Sequence, residues 1–183
     1  MIMQDPPNSV DELHEHLQQF IGRTSGERRV ASDSVNEPML RHWCLALGDA
    51  NVIYTDLDEA KASRFHGIVA PPTMLQTWTH HDRRFTTESD EVGNAEEELA
   101  KTLSVEGFTS VVATGCKFRF VRYLRPGDRT SYRGTIRSIS SRKSTALGDG
   151  YFIVTDMEYT DSAGQPVGMI EFTTLRFRPL SKG

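Results

Sequence analysis

Long apolar runs are missing from this sequence. No stretch of its 183 residues approaches the ~20 consecutive apolar residues of a membrane-spanning helix. The opening MIMQDPPNSVDELHEH carries acidic residues where a secretory leader carries an apolar core. Cysteine is scarce: Cys44 and Cys116 are the two present, which rules out a disulfide framework and points to a reduced, cytoplasmic protein. Positive charge is not in excess either. The 21 Lys and Arg against 25 Asp and Glu leave a net charge of -4 with the basic residues dispersed, which argues against nucleic acid as a partner. No Gly-x-Gly-x-x-Gly or phosphate-loop signature occurs, zinc-type Cys/His spacing is absent, and there is no Gly-x-Ser-x-Gly nucleophile elbow.

What is present suffices for one core: hydrophobic residues make up 37% of the chain, and the length fits a single domain over 1–183. An N-terminal segment (1–25) reads as a helix, with Ser9 in capping-box spacing to Glu12 and with Val10, Leu13, Leu17, Phe20 and Ile21 on one face before Gly22. Arg28 to Val35 reads as extended. A second helix follows, capped by Ser34 or Asn36, with Pro38 in its first turn and Met39, Leu40, Trp43, Leu45 and Leu47 as its buried positions. Cys44 on this helix reads as a small buried hydrophobe rather than a nucleophile. A short helix is expected at Asp58 to Phe65. A longer apolar one is expected to open at Pro71-Pro72-Thr73 and to carry Met74, Leu75 and Trp78. Residues 83–109 form an acidic insertion, a flap or interface, with a short helix around Ala95 to Leu103. The histidine pairs His14/His16 and His80/His81 read as polar helix positions rather than metal ligands.

From Ser110 the period changes to two. Cys116, Phe118 and Phe120, then Tyr132, Gly134 and Ile136, then Tyr151 to Tyr159, and finally Val167, Met169, Thr173, Leu175 and Phe177 alternate along four runs. The runs are separated by the turns Arg125-Pro126-Gly127-Asp128, Leu147-Gly148-Asp149-Gly150 and Asp161-Ser162-Ala163-Gly164. This is an antiparallel meander with one covered face. The helix from Pro71 is the expected cover, giving an α+β fold in which a curled sheet wraps a central helix.

The polar turn Gly48-Asp49-Ala50-Asn51 lies between two segments that want burial. Its aspartate is either a cap for the chain reversal or a working carboxylate. The run Ala46 to Asp56, with Ala60-Lys61-Ala62, Gly67 to Pro72 and the Tyr123-Leu124-Arg125-Pro126-Gly127-Asp128 turn, resembles the MaoC-like enoyl-CoA hydratases, especially the amino-terminal type of heteromeric steroid side-chain hydratases. The resemblance spans about Arg28 to Pro179 and implies the hot-dog fold. The family motif is Gly-Asp-x-Asn-Pro-x-His, in which the aspartate and histidine activate a water for addition to a 2-enoyl thioester. A helix N-terminal amide receives the developing enolate oxygen. Gly48, Asp49 and Asn51 match that motif, Val52 stands for the proline, and Tyr54 stands for the histidine. A phenol, with a reference pKa near 10 against about 6.5 for imidazole, is a poor base at neutral pH.

Asp49 and Tyr54 therefore occupy degenerate catalytic positions. Asn51, Pro72, Thr73, Met74 and Trp78 are the expected substrate contacts, with Thr73 and Met74 as amide donors and Arg119, Arg137, Arg142 and Lys143 as candidates for the coenzyme phosphates. No metal and no cofactor is implied beyond a coenzyme A thioester as substrate. Three functions remain open. In the first, the chain is the pocket-forming half of a heteromeric hydratase for a bulky acyl group, its partner carrying the intact motif. In the second, it hydrates alone through Asp49, assisted by Tyr54 or His66. In the third, it is an acyl-CoA-binding hot dog without enoyl chemistry. The proton carrier missing from the motif favours the first. The chain ends soon after its last strand, which leaves room for a further domain.

Overall fold

The computed structural model describes residues 10–80 and 94–180. The Ser9 cap, the side chain of Val10, His81 and the first part of the acidic insertion lie outside the described residues. Helix α1, Val10–Gln18, buries Leu13 and Leu17, and Phe20 follows into the same core. Ile21, expected inside, is 39% exposed, because the chain has left the helix before the turn at Gly22. Of the extended stretch expected over 28–35, only β1, Arg29–Val30, is a strand.

Helix α2, Glu37–Leu47, starts where Met39 N donates to Asn36 Oδ1 at 3.0 Å, and it ends at Gly48, whose φ of 66° is left-handed. Its buried stripe is narrow, Leu40 and Cys44. Leu40 is buried as expected and Trp43 packs half-buried against the core, but three of the expected positions correct to the outside: Met39, Leu45 and Leu47 are 37%, 78% and 64% exposed. The i, i+4 pair Leu40/Cys44 lies along the contact line of a helix on the domain surface, and the other leucines project away from it. Helix α3, Leu57–Ala62, is capped by Asp56, which accepts from the amides of Asp58 and Glu59.

The long helix expected from Pro71 is not there. Two 3₁₀ turns, Pro72–Met74 and Thr77–Thr79, stand in its place. Met74 N donates to Pro71 O and Leu75 N to Pro72 O, both i to i+3, and Thr79 Oγ1 donates to the Gln76 carbonyl at 3.2 Å. Two prolines at the start and β-branched threonines along the run, one of them bonding back to the main chain, favour tight turns over a regular helix. The second covering element is helix α4, Ala95–Val105, capped by Asn94 and burying Ala95, Leu99 and Leu103. No helix among the described residues is long and apolar enough to cross a membrane.

The sheet contains β2 (Ser110–Phe120), β3 (Thr130–Ile139), β4 (Lys143–Thr145), β5 (Gly148–Asp161) and β6 (Pro166–Pro179). All the pairings are antiparallel, in the order β1-β3-β5-β6-β2 with β4 also on β5. The curled sheet around helical segments is thus present, but the filling comes in two pieces. At one end Met74, Leu75 and Trp78 pack with Tyr159 and Ile170. At the other, Leu99 and Leu103 with Leu13 and Leu17 pack on Ile136, Tyr151 and Ile153. β2 departs from the expected half-buried pattern: from Ala113 to Phe120 every residue is exposed, including Phe118 and Phe120, whose rings stack at 5.5 Å. It is an edge strand bonded to β6 on one side.

Candidate functional site

The hydratase-like turn is built by α2 ending at Gly48. Asp49 N donates to Cys44 O at 2.9 Å, which folds the chain back, and Asp49 Oδ1 accepts from Asn51 N at 3.0 Å. Asn51 Oδ1 accepts from Ile53 N at 3.4 Å and caps a 3₁₀ turn, Val52–Tyr54. That turn drives Tyr54 inward, into a small cluster with Cys44, Val69, Ile53, Phe65 and Tyr123. Burial pushes the Tyr54 phenol above its ordinary value, and the charges of Tyr123 and Asp49 add to that, while a hydrogen bond with the Asn51 side chain opposes it. Burial, and then Asp49, also raise the Cys44 thiol. The structure therefore brings Asp49, Asn51 and Tyr54 together, as one turn. The carboxylate caps the chain, and the phenol is held further from ionisation than in water.

The second expected half of the site is rearranged. Because a 3₁₀ turn replaces the helix N-terminus at Pro71, the Met74 amide is spent on Pro71 O. Thr73 is exposed, and Pro72 is half-buried. Met74 is wholly buried, and Trp78 is 5% exposed, both in the core cluster around Tyr159 and not in the Tyr54 cluster. Of the basic residues considered for phosphate, Arg137 is committed to Glu171 at 2.6 Å and Asp156 at 3.2 Å, and Arg142 to Asp149 at 2.7 Å. His66 is an exposed residue with a φ of 54°.

Between the two halves of the core lies a cavity of about 200 Å³ that sequence reasoning missed. Leu99, Val111, Ile153, Met157 and Phe172 form its apolar walls. Gln76, Glu96, Thr155, Thr174 and Arg176 bring polar atoms to it. Along β5 the sequence of the gap is explicit: Tyr151 and Ile153 belong to one core cluster and Tyr159 to the other, with Thr155 and Met157 facing the space between. The signal for Glu96 was in the sequence: 96, 99 and 103 fall on one face of a helix, so the spacing puts a carboxylate in line with two core leucines. On β6, the cavity takes Phe172, Thr174 and Arg176, while Leu175 and Phe177 of the alternating set are buried, as expected.

Burial raises the Glu96 carboxyl above its ordinary value; Arg29 opposes this, Glu97 adds to it, and Arg176 opposes it. The sign of its effect on stability follows. Between the unfolded and the higher folded pKa, the folded state binds more protons, so stability falls as pH rises through that window. Glu96→Gln removes the burden. Its urea midpoint is expected to exceed that of the wild type at pH 7 and to converge on it below the ordinary carboxyl value of 4.5. A Glu96→Gln midpoint that falls further below wild type with rising pH would contradict this.

Residues 19–169 match the family model described as FAS1-like, dehydratase domain region. The chain is 43% identical over 171 residues to a "Probable enoyl-CoA hydratase alpha subunit" of Thermomonospora curvata, covering 93% of this chain and 54% of that protein. It is 33% identical over 170 residues to the 3-oxo-4,17-pregnadiene-20-carboxyl-CoA hydratase alpha subunit of Mycobacterium tuberculosis, covering 93% and 53%. The chain thus spans about half the length of these curated relatives. Among solved structures, a chain of the ChsH1-ChsH2 complex from Mycobacterium tuberculosis matches with a TM-score of 0.83 at 32% identity, covering 95% of this chain and 96% of that one. A MaoC-like dehydratase at 20% identity and a TM-score of 0.61 shares the fold over 88% of this chain.

Proposed function

The chain belongs to the FAS1-like dehydratase-domain family, with the hot-dog fold of the MaoC-like proteins, and on that footing we propose that it is the pocket-forming subunit of a heteromeric 2-enoyl-CoA hydratase. A motif-intact MaoC-like partner supplies the aspartate and histidine. Those two groups take a proton from water as it attacks C3 and deliver one to C2. The addition is redox-neutral, so the thioester brings the only coenzyme the reaction needs. This chain's work is to hold the acyl group.

The observation that carries the reading is the Gly48–Tyr54 turn. Its carboxylate is used as a cap and its imidazole position is filled by an inward-facing phenol pushed away from ionisation. Such a turn keeps the shape of a hydratase motif without its proton carrier. The exposed edge strand β2, with Val111, Phe118 and Phe120 uncovered, offers main-chain bonding and apolar area to a second sheet, and such edges are normally covered. Two relatives carry the name alpha subunit, and a close structural match comes from a complex, which supports a hetero-oligomer. The gap in the core and the steroid-type substrate in the name of the Mycobacterium tuberculosis relative support a bulky acyl group. We place the protein in the cytoplasm, with the soluble coenzyme A thioesters.

Affinity capture of the tagged chain, co-expressed with a candidate motif-intact subunit, tests the reading. The expected result is an equimolar complex that retains a 2-enoyl-CoA. A chain that elutes as a homodimer and leaves that subunit behind overturns it.

A further inference from the structure

The loop after α3 carries charge that the fold itself does not use. Arg23, Arg41, Arg122, Arg137 and Arg142 each pair with a carboxylate. Arg64 and Arg125, both exposed, pair with none among the described residues. Arg64 lays its guanidinium over the Phe65 ring, 4.8 Å from the centroid. Arg125 Nη2 donates to the Phe65 carbonyl at 2.6 Å. His66 is exposed as well, and among the described residues it is the one non-glycine residue with a positive φ, 54°. That conformation costs backbone energy in any residue but glycine, and segments that keep it are commonly working ones.

The loop is held firmly. Ser63 Oγ accepts from Phe65 N at 3.1 Å and donates to Ala60 O at 2.6 Å, and His66 N donates to Ser63 O at 3.1 Å. It is also tied to the turn after β2. The Phe65 and Tyr123 rings pack at 4.6 Å, and Ala70 N donates to Leu124 O at 2.8 Å. Arg125 Nη1 passes over Gly67, 3.5 Å from the point a Cβ would take. The carboxylate of that turn, Asp128, is already spent on Arg122 Nη1 at 2.7 Å and on the Arg125 amide at 2.8 Å. The acids Asp58 and Glu59 lie in the first turn of α3, at the end away from the loop. Phe65 and Tyr123 belong to the cluster that holds Tyr54, so these cations stand beside the hydratase-like turn.

We infer that Arg64, His66 and Arg125 form a subsite for the phosphates of the coenzyme, a role that Arg137 and Arg142 do not fill because ion pairs occupy them. The inference rests on the hydratase-subunit reading. A guanidinium offers a planar fork of N–H groups that matches phosphate oxygens, and one already laid on a ring has less freedom to lose on binding. The imidazole of His66 adds a further N–H. In a chain of net charge -4, a local cationic loop is what draws a polyanion to this face. A thioester without phosphates leaves the three side chains in water, so the whole gain goes to the phosphorylated carrier.

The test is steady-state hydration by the chain in complex with its motif-intact partner, with one 2-enoyl group carried either on coenzyme A or on pantetheine. The wild-type complex is expected to show a KM at least about tenfold lower for the coenzyme A thioester. Arg64→Ser combined with His66→Gly should bring that ratio to about threefold or less, by raising KM for the coenzyme A thioester alone. His66→Gly by itself should weaken adenosine 3′,5′-bisphosphate as a competitor without lowering the melting temperature, since glycine suits that backbone. A merely structural histidine would give the opposite pair of results. A KM ratio that the double variant preserves overturns the inference and leaves the hydratase reading standing. So does inorganic tripolyphosphate competing as strongly as the bisphosphate, which would mean an adventitious anion only. A wild-type complex that hydrates neither thioester and binds no bisphosphate removes the hydratase reading and the inference together.

Discussion

Asp49→Ala in this chain is expected to leave the hydration rate of the assembled enzyme within about threefold of wild type, while the same change at the aspartate of the partner's motif lowers it ~10²–10⁴-fold, the usual worth of positioned acid-base groups. The asymmetry follows from where the Asp49 carboxylate is spent. Its Oδ1 receives the Asn51 amide at 3.0 Å, which stabilises the reversal after Gly48. Asp49→Ala should therefore appear as a loss of stability of about 1 kcal/mol, the ordinary value of a cap. Tyr54→Phe belongs to the same experiment. The phenol is buried with Cys44 and Val69, and its hydrogen bond is to Asn51, within the same turn. Removing the hydroxyl should leave kcat unchanged. Steady-state kinetics of the complex, with thermal melts of each variant, separate the two kinds of loss.

Leu103→Ala is expected to destabilise the fold by about 2–5 kcal/mol, a fall in melting temperature of roughly 2–4 °C for each kcal/mol in a domain of this size. Leu103 has no exposed surface and belongs to the cluster of Leu13, Leu17, Ile136 and Tyr151. The acidic stretch that contains it looks from composition like an added flap, and a flap residue would cost less than about 0.5 kcal/mol when truncated. The helix is instead half of the filling of the sheet. Scanning calorimetry on Leu103→Ala distinguishes the two, and a shift too small to measure would mean that α4 is not part of the core.

Much of the architecture was legible in the chain because its signals are local. Turn residues at Arg125 to Asp128 and Asp161 to Gly164 cut the second half into strands, and the alternation Tyr151, Ile153, Tyr159 marks a face that is buried as expected. The turn expected over Leu147 to Gly150 lies earlier, at Ala146 and Leu147, with Gly148 to Gly150 already paired in β5. The caps at Asn36 and Gly48 bound α2 where their chemistry says they should. What was not legible depends on tertiary context. Two prolines followed by Met74 and Leu75 look like the start of a helix. The competition from Thr79 and the i to i+3 bonds at Met74 and Leu75 emerges only when the segment is pressed on the sheet. Leu45 and Leu47 are hydrophobic and helical, yet α2 offers the core a stripe too narrow to include them. β2 has the composition of a half-buried strand and lies at an edge with both faces open.

The site divides in the same way. The Gly48–Asn51 turn and the replacement at Tyr54 could be read directly, because they sit within seven consecutive residues. The cavity could not, since Gln76, Glu96, Thr155 and Arg176 come from separate elements and meet only because the filling of the sheet is interrupted. The helical phase of 96, 99 and 103 was the single sequence clue, and it was masked by the acidic run around it.

The central claim is that the Gly48–Tyr54 turn has kept the shape of a hydratase motif and lost the ability to move a proton. It is tested most directly by the rate at which this chain, purified alone and supplied with saturating 2-enoyl-CoA, forms the 3-hydroxyacyl product. The account predicts a rate indistinguishable from the enzyme-free solution, and full turnover once the motif-intact partner is added. Sustained hydration by the isolated chain, abolished by Asp49→Ala, would contradict it.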